Sequence, residues 1–172
     1  ISVIDELPPG RKEVENILLS GHESDNNLVV DYCNHHLNEN SQIFVVCPYI
    51  DESENKDIKA AEKVYKQYVE IFPKKNIELL HGRMKSDEKE LIMSKMNKGQ
   101  IDILISTVVI EVGIDITNAT LMIIESAERF GLNQLHQLRG RVGRGDKKSQ
   151  CIFHISENLN IDSVTDVGKK RL

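Results

Sequence analysis

The chain has 172 residues, about the length of a single domain, and 40% of them are hydrophobic, as in an ordinary globular protein. Its apolar stretches fall far short of the ~18 residues that a membrane span needs, and no basic region followed by an apolar run opens the chain, so we expect neither a membrane partner nor a signal peptide. A net charge of −5 excludes a protein that coats nucleic acid by electrostatics alone, and three widely separated cysteines favour a cytoplasmic location.

The first 25 residues predict a linker. Pro8, Pro9 and Gly10 interrupt a weakly alternating start, as is typical of a turn. This abrupt beginning, and an end without any stop signal, predict a domain cut from a longer protein. We therefore assign residues 1–25 to a linker from a preceding domain and residues 159–172 to the start of a C-terminal extension.

Residues 26–158 show the alternation of strands and helices that is typical of an α/β domain. Apolar runs bounded by turn residues predict five strands, at 42–47, 77–80, 101–106, 121–125 and 151–155. Apolar residues at helical spacing predict helices at 26–37, 56–72 and 86–97, and a fourth helix is expected over 137–144. Because the strands are apolar throughout, we predict a mostly parallel central sheet with helices on both faces.

Polar side chains follow several of the predicted strands, where open parallel sheets bind their ligands. Arg83 follows the second strand and is either a contact to a nucleic-acid phosphate or a surface residue of a turn. Ser106 and Thr107 follow the third strand, and Glu125 and Ser126 the fourth. Thr107 stands where a helix can begin, so its hydroxyl and the nearby amides are candidates to hold a phosphate.

Two further candidates, Gly113 and Asp115, lie shortly after Thr107. Gly113 can close a short helix and direct Asp115 outward, where its carboxylate can accept hydrogen bonds from a ribose. The structural alternative is a capping threonine, a capping glycine and an aspartate that closes a turn. From these residues alone both interpretations stay open.

The segment 134–145, Gln-Leu-His-Gln-Leu-Arg-Gly-Arg-Val-Gly-Arg-Gly, is the most informative in the chain. Gln137, Arg141 and Arg144 are separated by steps of four and three, which stack side chains on one face of a helix. Guanidinium groups are planar, charged forks that match phosphate oxygens, and the glycines between them allow a ligand to approach closely. The run predicts an arginine array directed at phosphate; the alternative is a solvated basic helix end that offsets the helix dipole.

Two motifs of a complete nucleotide hydrolase are missing from the sequence. It contains no Gly-x-x-x-x-Gly-Lys-[Ser/Thr] loop to cradle phosphates and no Asp-Glu-x-His to hold magnesium. The histidines form no metal-spaced pair, and we expect His35 and His36 at the surface, so no metal site is predicted. Phosphate-directed arginines without a phosphate loop indicate half of a composite site, whose other half binds the nucleotide and magnesium.

These runs resemble superfamily 2 helicases, and in particular the RecG family of bacterial ATP-dependent DNA helicases. The segment 137–144 looks like helicase motif VI, Gln-x-x-Gly-Arg-x-Gly-Arg, and 106–115 looks like motif V. Similarity to RecG is carried by residues 1–11, by Leu-His-Gly-Arg-Met at 80–84, by Val-Ile-Glu-Val-Gly-Ile-Asp at 109–115 and by the long block 128–145. The likeness covers residues 1 to about 155.

The resemblance implies a second RecA-like motor domain, a three-layer fold that works with a first RecA-like domain and a DNA-splitting wedge domain of the same full-length protein. ATP would be the cofactor, with Mg²⁺ held by the first motor domain. The implied catalytic residues are Arg141 and Arg144; the nucleotide-side residues are Gln137, Gly113 and Asp115; the DNA-side residues are Thr107, Ser106 and Arg83.

The expected function is that of the C-terminal motor half of an ATP-dependent DNA helicase that remodels stalled forks and branched junctions. By itself this half is expected to be inactive. A transcription-repair coupling translocase shares much of the motif VI block and remains an alternative. A second alternative is non-enzymatic, a stand-alone nucleic-acid-binding α/β module, which the missing lysine loop keeps open.

Overall fold

The computed structural model describes residues 14–48, 56–107, 119–140 and 148–155. Six strands and four α-helices lie in these ranges. The strands are β1 (Val14–Leu19), β2 (Gln42–Val46), β3 (Ile77–Leu80), β4 (Ile103–Ser106), β5 (Ala119–Glu125) and β6 (Ser149–His154). The helices are α1 (Glu23–Asn38), α2 (Lys56–Ile71), α3 (Ser86–Asn97) and α4 (Leu132–Arg139), and a short 3-10 helix, Ala127–Arg129, precedes α4.

All six strands form one parallel sheet in the order β1-β6-β5-β2-β4-β3. The predicted parallel α/β fold is therefore confirmed. The inner strands β2 and β4 are buried along their whole length, as expected from their mostly apolar sequences when both faces of a sheet are covered.

The helices cover the two faces of the sheet and give a three-layer domain. One hydrophobic cluster packs α1 and α2 against one face, through Val29, Cys33 and Leu37 of α1 and Ala61 and Tyr68 of α2. A second cluster packs α3 and α4 against the other face, through Ile92 and Met96 of α3 and Leu135 and Leu138 of α4. Burial of its apolar side chains thus holds α4 against the sheet.

The edge strand β1 was not predicted. It lies in the range 1–25 that we expect to be a linker, and it pairs from Val14 to Leu19 with the whole of β6. Its sequence, Val-Glu-Asn-Ile-Leu-Leu, has only partial apolar content, because an edge strand is covered less completely than a central one. The division into 1–25, 26–158 and 159–172 stays a prediction.

The prediction of a surface histidine at position 36 is wrong. His36 is only 3% exposed, whereas the neighbouring His35 is exposed. The two side chains point in different directions because adjacent helical residues are about 100° apart, and α1 turns His36 toward the sheet. Among the helices in the described ranges, none is both long and apolar enough to cross a membrane.

Candidate functional site

The carboxyl ends of the parallel strands lie along one edge of the sheet, and three candidate residues lie there. Arg83 follows β3 and is exposed, and its backbone N–H donates to Nδ1 of His81 at 3.2 Å. Ser106 ends β4, and the backbone N–H of Thr107 donates to the carbonyl of Leu80 at 3.1 Å. This hydrogen bond ties the end of β4 to the end of β3, so the structure brings Arg83, Ser106 and Thr107 to neighbouring strand ends.

Burial limits what Ser106 and Thr107 can contact. Ser106 is fully buried, and its carbonyl accepts a hydrogen bond from the N–H of Cys47 at 2.9 Å. The hydroxyl of Thr107 is also buried, and within the part of the chain that the structure describes it has no hydrogen-bond partner. Buried polar groups are almost always paired. At this edge, Thr107 therefore has a buried hydroxyl without a partner among the described residues. Ser106, the residue before it, is fully buried.

Of the segment 137–144, the structure describes only the beginning. Gln137 is exposed on α4, but the helix ends at Arg139 and Gly140 lies in a turn. The prediction of one continuous helix through Arg144 is therefore wrong, in keeping with the high cost of glycine in a helix interior. Four of the predicted site residues lie outside the described residues: Arg141, Arg144, Gly113 and Asp115.

Glu125 and His154 form an interaction that the sequence alone does not predict. They end the adjacent strands β5 and β6 in direct register, and Nδ1 of His154 lies 2.9 Å from Oε2 of Glu125. On the other side of the ring, Nε2 lies 3.0 Å from Oδ1 of Asn26 on α1. A titratable residue at the end of each of two apolar strands was the only sequence signal, and strand order was needed to interpret it.

The Glu125–His154 pair borders a cleft of about 710 Å³ between α1 and α2. The strand order reverses between β5 and β2, beside this cleft. From β2 the chain continues to β3 toward one edge of the sheet, and from β5 it continues to β6 toward the other edge. The reversal point of a parallel sheet is where ligand crevices form. The charge of Glu125 also affects two residues under the helices. Burial is the largest cause that raises the pKa of the Cys33 thiol and of Tyr68, and the negative charge of Glu125 is the second largest.

Comparison with known proteins identifies the class to which this fold and edge belong. The model of the helicase conserved C-terminal domain family matches residues 25–146, so the chain belongs to that family. Within it, the chain is similar to the RecG helicases. It is 47% identical over 161 residues to ATP-dependent DNA helicase RecG of Synechocystis sp., 48% over 171 residues to that of Haemophilus influenzae and 42% over 173 residues to that of Bacillus subtilis.

These alignments cover 93%, 99% and 100% of this chain but only 19%, 24% and 24% of the relatives. The chain therefore spans about a fifth to a quarter of the length of the RecG proteins it matches. The resemblance to the RecG family, which was predicted from the sequence motifs, is confirmed.

Solved structures agree in fold. A structure of RecG bound to a three-way DNA junction matches 98% of this chain and 21% of its own, with a TM-score of 0.76 and 38% identity. Dbp5 of S. cerevisiae bound to RNA and ADP BeF3 matches 92% of this chain and 39% of its own, with a TM-score of 0.68 and 16% identity. The second match shows the fold alone, and together they confirm the RecA-like helicase fold.

Proposed function

We propose that this chain is the C-terminal motor half of an ATP-dependent DNA helicase or translocase that remodels stalled forks and branched DNA junctions. The observation that carries the proposal is the alignment of essentially the whole chain with proteins named ATP-dependent DNA helicase RecG, at 42–50% identity. The matching structure of RecG on a three-way DNA junction supports DNA as the partner. These relatives favour RecG over the transcription-repair coupling translocase.

On the nucleotide side, we propose that Arg141 and Arg144 act on the γ-phosphate of an ATP molecule held by a first motor domain. A guanidinium supplied across a cleft stabilises the negative charge of the transferring phosphoryl group. Gln137 is exposed on α4, immediately before the arginines in sequence, which fits a role in linking nucleotide and DNA. Gly113 and Asp115 are proposed to contribute on the same side, and Mg²⁺ is proposed to be held by the first motor domain.

On the DNA side, we propose that Arg83 and Thr107 line the path of the DNA backbone. Arg83 is exposed and its guanidinium is suited to phosphate oxygens, and Thr107 is partly exposed at the neighbouring strand end, although its hydroxyl is buried. Ser106 is proposed to support this edge, because its buried side chain is closed to a ligand. Phosphate contacts of this kind position DNA without reading its sequence, as a junction-remodelling enzyme requires.

The remaining partners are proposed to belong to the same full-length protein: a first RecA-like domain and a wedge domain, with the whole enzyme in the cytoplasm. Closure of two motor domains around ATP and their opening after hydrolysis would move the DNA. This chain, which spans about a fifth of its relatives, is proposed to be inactive without the other motor domain.

The test is DNA-stimulated ATP hydrolysis by this chain alone, by the full-length protein and by full-length Arg144→Ala. We expect no hydrolysis by the chain alone and about a hundredfold loss of kcat in the variant, equivalent to ~2.7 kcal/mol of transition-state stabilisation. Lys98→Ala is the control, because Lys98 is an exposed cation after α3 at the opposite edge of the sheet. A full-length Arg144→Ala enzyme with normal kcat would remove the arginine from the proposed mechanism.

A further inference from the structure

His154 is held between two acceptors on different elements. Its Nδ1 faces the carboxylate of Glu125 at 2.9 Å, and its Nε2 faces Oδ1 of Asn26 at 3.0 Å. The amide of Asn26 is oriented by its own Nδ2, which donates to the carbonyl of Gly21 at 3.3 Å. Oδ1 is thereby turned toward the imidazole. Since neither facing oxygen carries a proton to donate, both ring nitrogens must donate, and the ring that satisfies this geometry is an imidazolium.

The surroundings of the ring support the charged form. Burial acts to lower the pKa of His154, but the hydrogen bond and charge of Glu125, the backbone of Ser20 and the charge of Asp25 outweigh it, so the pKa is raised above 6.5. From α2, Lys63 and Glu70 line the same cleft with opposite charges.

Glu125 is the last residue before the chain turns toward α4. The next residue, Ser126, has φ 50° and ψ 50°, a left-handed conformation that non-glycine residues adopt at a cost. A strained backbone persists only where its surroundings hold it in place. The side chain of Glu125 is 19% exposed, and it contacts His154 at the strand end where this turn begins.

The turn is coupled to α4 by a continuous, packed segment. The N–H of Arg129 donates to the carbonyl of Ser126 at 2.9 Å, and the N–H of Phe130 donates to the carbonyl of Ala127 at 3.1 Å. Ala127 and Phe130 are buried in the same hydrophobic cluster as Leu138 of α4. The backbone conformation at the end of β5 therefore affects the orientation of α4, the helix that carries Gln137.

We propose that His154, as an imidazolium bridging Glu125 and Asn26, is a positioning residue that sets the orientation of α4, the helix that precedes the arginine-bearing segment in sequence. This inference rests on the proposed function of that segment. The nucleotide site would then depend on a histidine in the last described strand. Raising the pH removes one ring proton, which breaks the bridge to Asn26 and also removes the positive charge that attracts the Glu125 carboxylate, so the orientation of α4 becomes looser.

The experiment measures kcat and KM for ATP against pH in the full-length protein, with saturating branched DNA. His154→Gln cannot carry charge, and we expect about a tenfold lower kcat with KM changed less than about twofold, because misplaced arginines weaken the transition state and not ground-state binding. In the unmodified protein kcat should fall as the pH rises through the raised pKa of His154, and this fall should be absent in the variant. His35→Gln, an exposed histidine on α1, is the matched control and should behave as the unmodified protein.

Two substitutions at Asn26, an exposed residue in the first turns of α1, separate positioning from folding. Asn26→Asp keeps the acceptor and adds a negative charge, so the fall of kcat should move to higher pH. Asn26→Ala removes the acceptor, so the fall should move to lower pH. A purely structural contact would not produce opposite shifts, and two unshifted profiles would overturn the inference even if His154→Gln failed to fold.

Hydrogen exchange of the same proteins distinguishes failure of this inference from failure of the proposed function. His154→Gln should speed amide exchange at 126–131 and leave α3 unchanged, whether or not the protein hydrolyses ATP. If Arg144→Ala loses hydrolysis while His154→Gln keeps its kcat, its pH profile and its exchange, the positioning role is overturned and the proposed function stands. If the full-length protein shows no DNA-stimulated hydrolysis, the proposed function fails and exchange alone decides the role of His154.

Discussion

His36 Nε2 lies 2.7 Å from Oε1 of Gln150, which joins the last turn of α1 to β6. The amide nitrogen of Gln150 donates to the carboxylate of Glu15 on β1 at 2.7 Å, so its oxygen must accept from the imidazole. Nδ1 forms a second hydrogen bond, with the Thr120 hydroxyl at 2.6 Å. These hydrogen bonds link α1, β5, β6 and β1 through one buried imidazole.

Replacing His36 should destabilise the domain. His36→Ala removes the imidazole that bonds the buried Thr120 hydroxyl and donates to Gln150, so we expect a loss of about 1–3 kcal/mol in the free energy of unfolding. Equilibrium urea unfolding measures it. His35→Ala, one residue away and exposed, should change the free energy by less than about 0.5 kcal/mol. Equal effects of the two substitutions would contradict the assigned hydrogen bonds.

Asp25 should contribute to the acid stability of the domain. Its Oδ2 accepts hydrogen bonds from the hydroxyl of Ser20 at 2.7 Å and from the Ser20 backbone N–H at 2.8 Å. Both bonds lower the pKa of Asp25 below 3.8, and the bond from the hydroxyl has the larger effect. Because the folded pKa is the lower one, this stabilisation is present above the unfolded pKa and is lost as the pH falls through the folded pKa.

We therefore expect unfolding monitored against pH to show a loss of stability below about pH 4 that is weaker in Asp25→Asn. Ser20→Ala should weaken it as well, because it removes the hydroxyl donor. The test fails if Asp25→Asn and the unmodified protein lose stability in parallel over this range.

The three cysteines should be unreactive in the folded protein. Burial raises the pKa of Cys33 and Cys151 to about 12 and that of Cys47 further still, so almost no thiolate exists near pH 7. All three are free thiols with almost no exposure. Titration with an aromatic disulfide should modify none of them quickly before denaturation and all three after it.

Cys33 is the most informative of the three, because it borders the cleft between α1 and α2. Rapid modification of Cys33 in the native protein, with Cys47 and Cys151 still protected, would show that α1 opens from the sheet. Mass spectrometry of the modified peptides identifies which thiol has reacted.

Most of the strands and helices could be predicted from sequence because their signals are local. The runs at 43–46 and 103–105 are apolar throughout, as expected of a strand that is buried on both faces, and 56–71 has the spacing of a helix that covers a sheet. The strand at 14–19 was missed because its half-polar pattern only makes sense beside β6, more than 130 residues further along the chain. The helix predicted over 137–144 is too long, because the spacing of Gln137, Arg141 and Arg144 was given more weight than the glycine at 140, which disfavours a helix interior.

The sequence by itself determined the parallel α/β class, the family through its motif runs, and the candidates at the strand ends that face a ligand. Arg83, Ser106 and Thr107 were placed at one edge because parallel strands end together. Only the tertiary structure decided that His154 meets Glu125 and that His36 is buried against Gln150. Both pairs depend on strand order, which is set by how the helices pack across the sheet, and no local pattern of residues encodes a partner that lies 29 or 114 positions away.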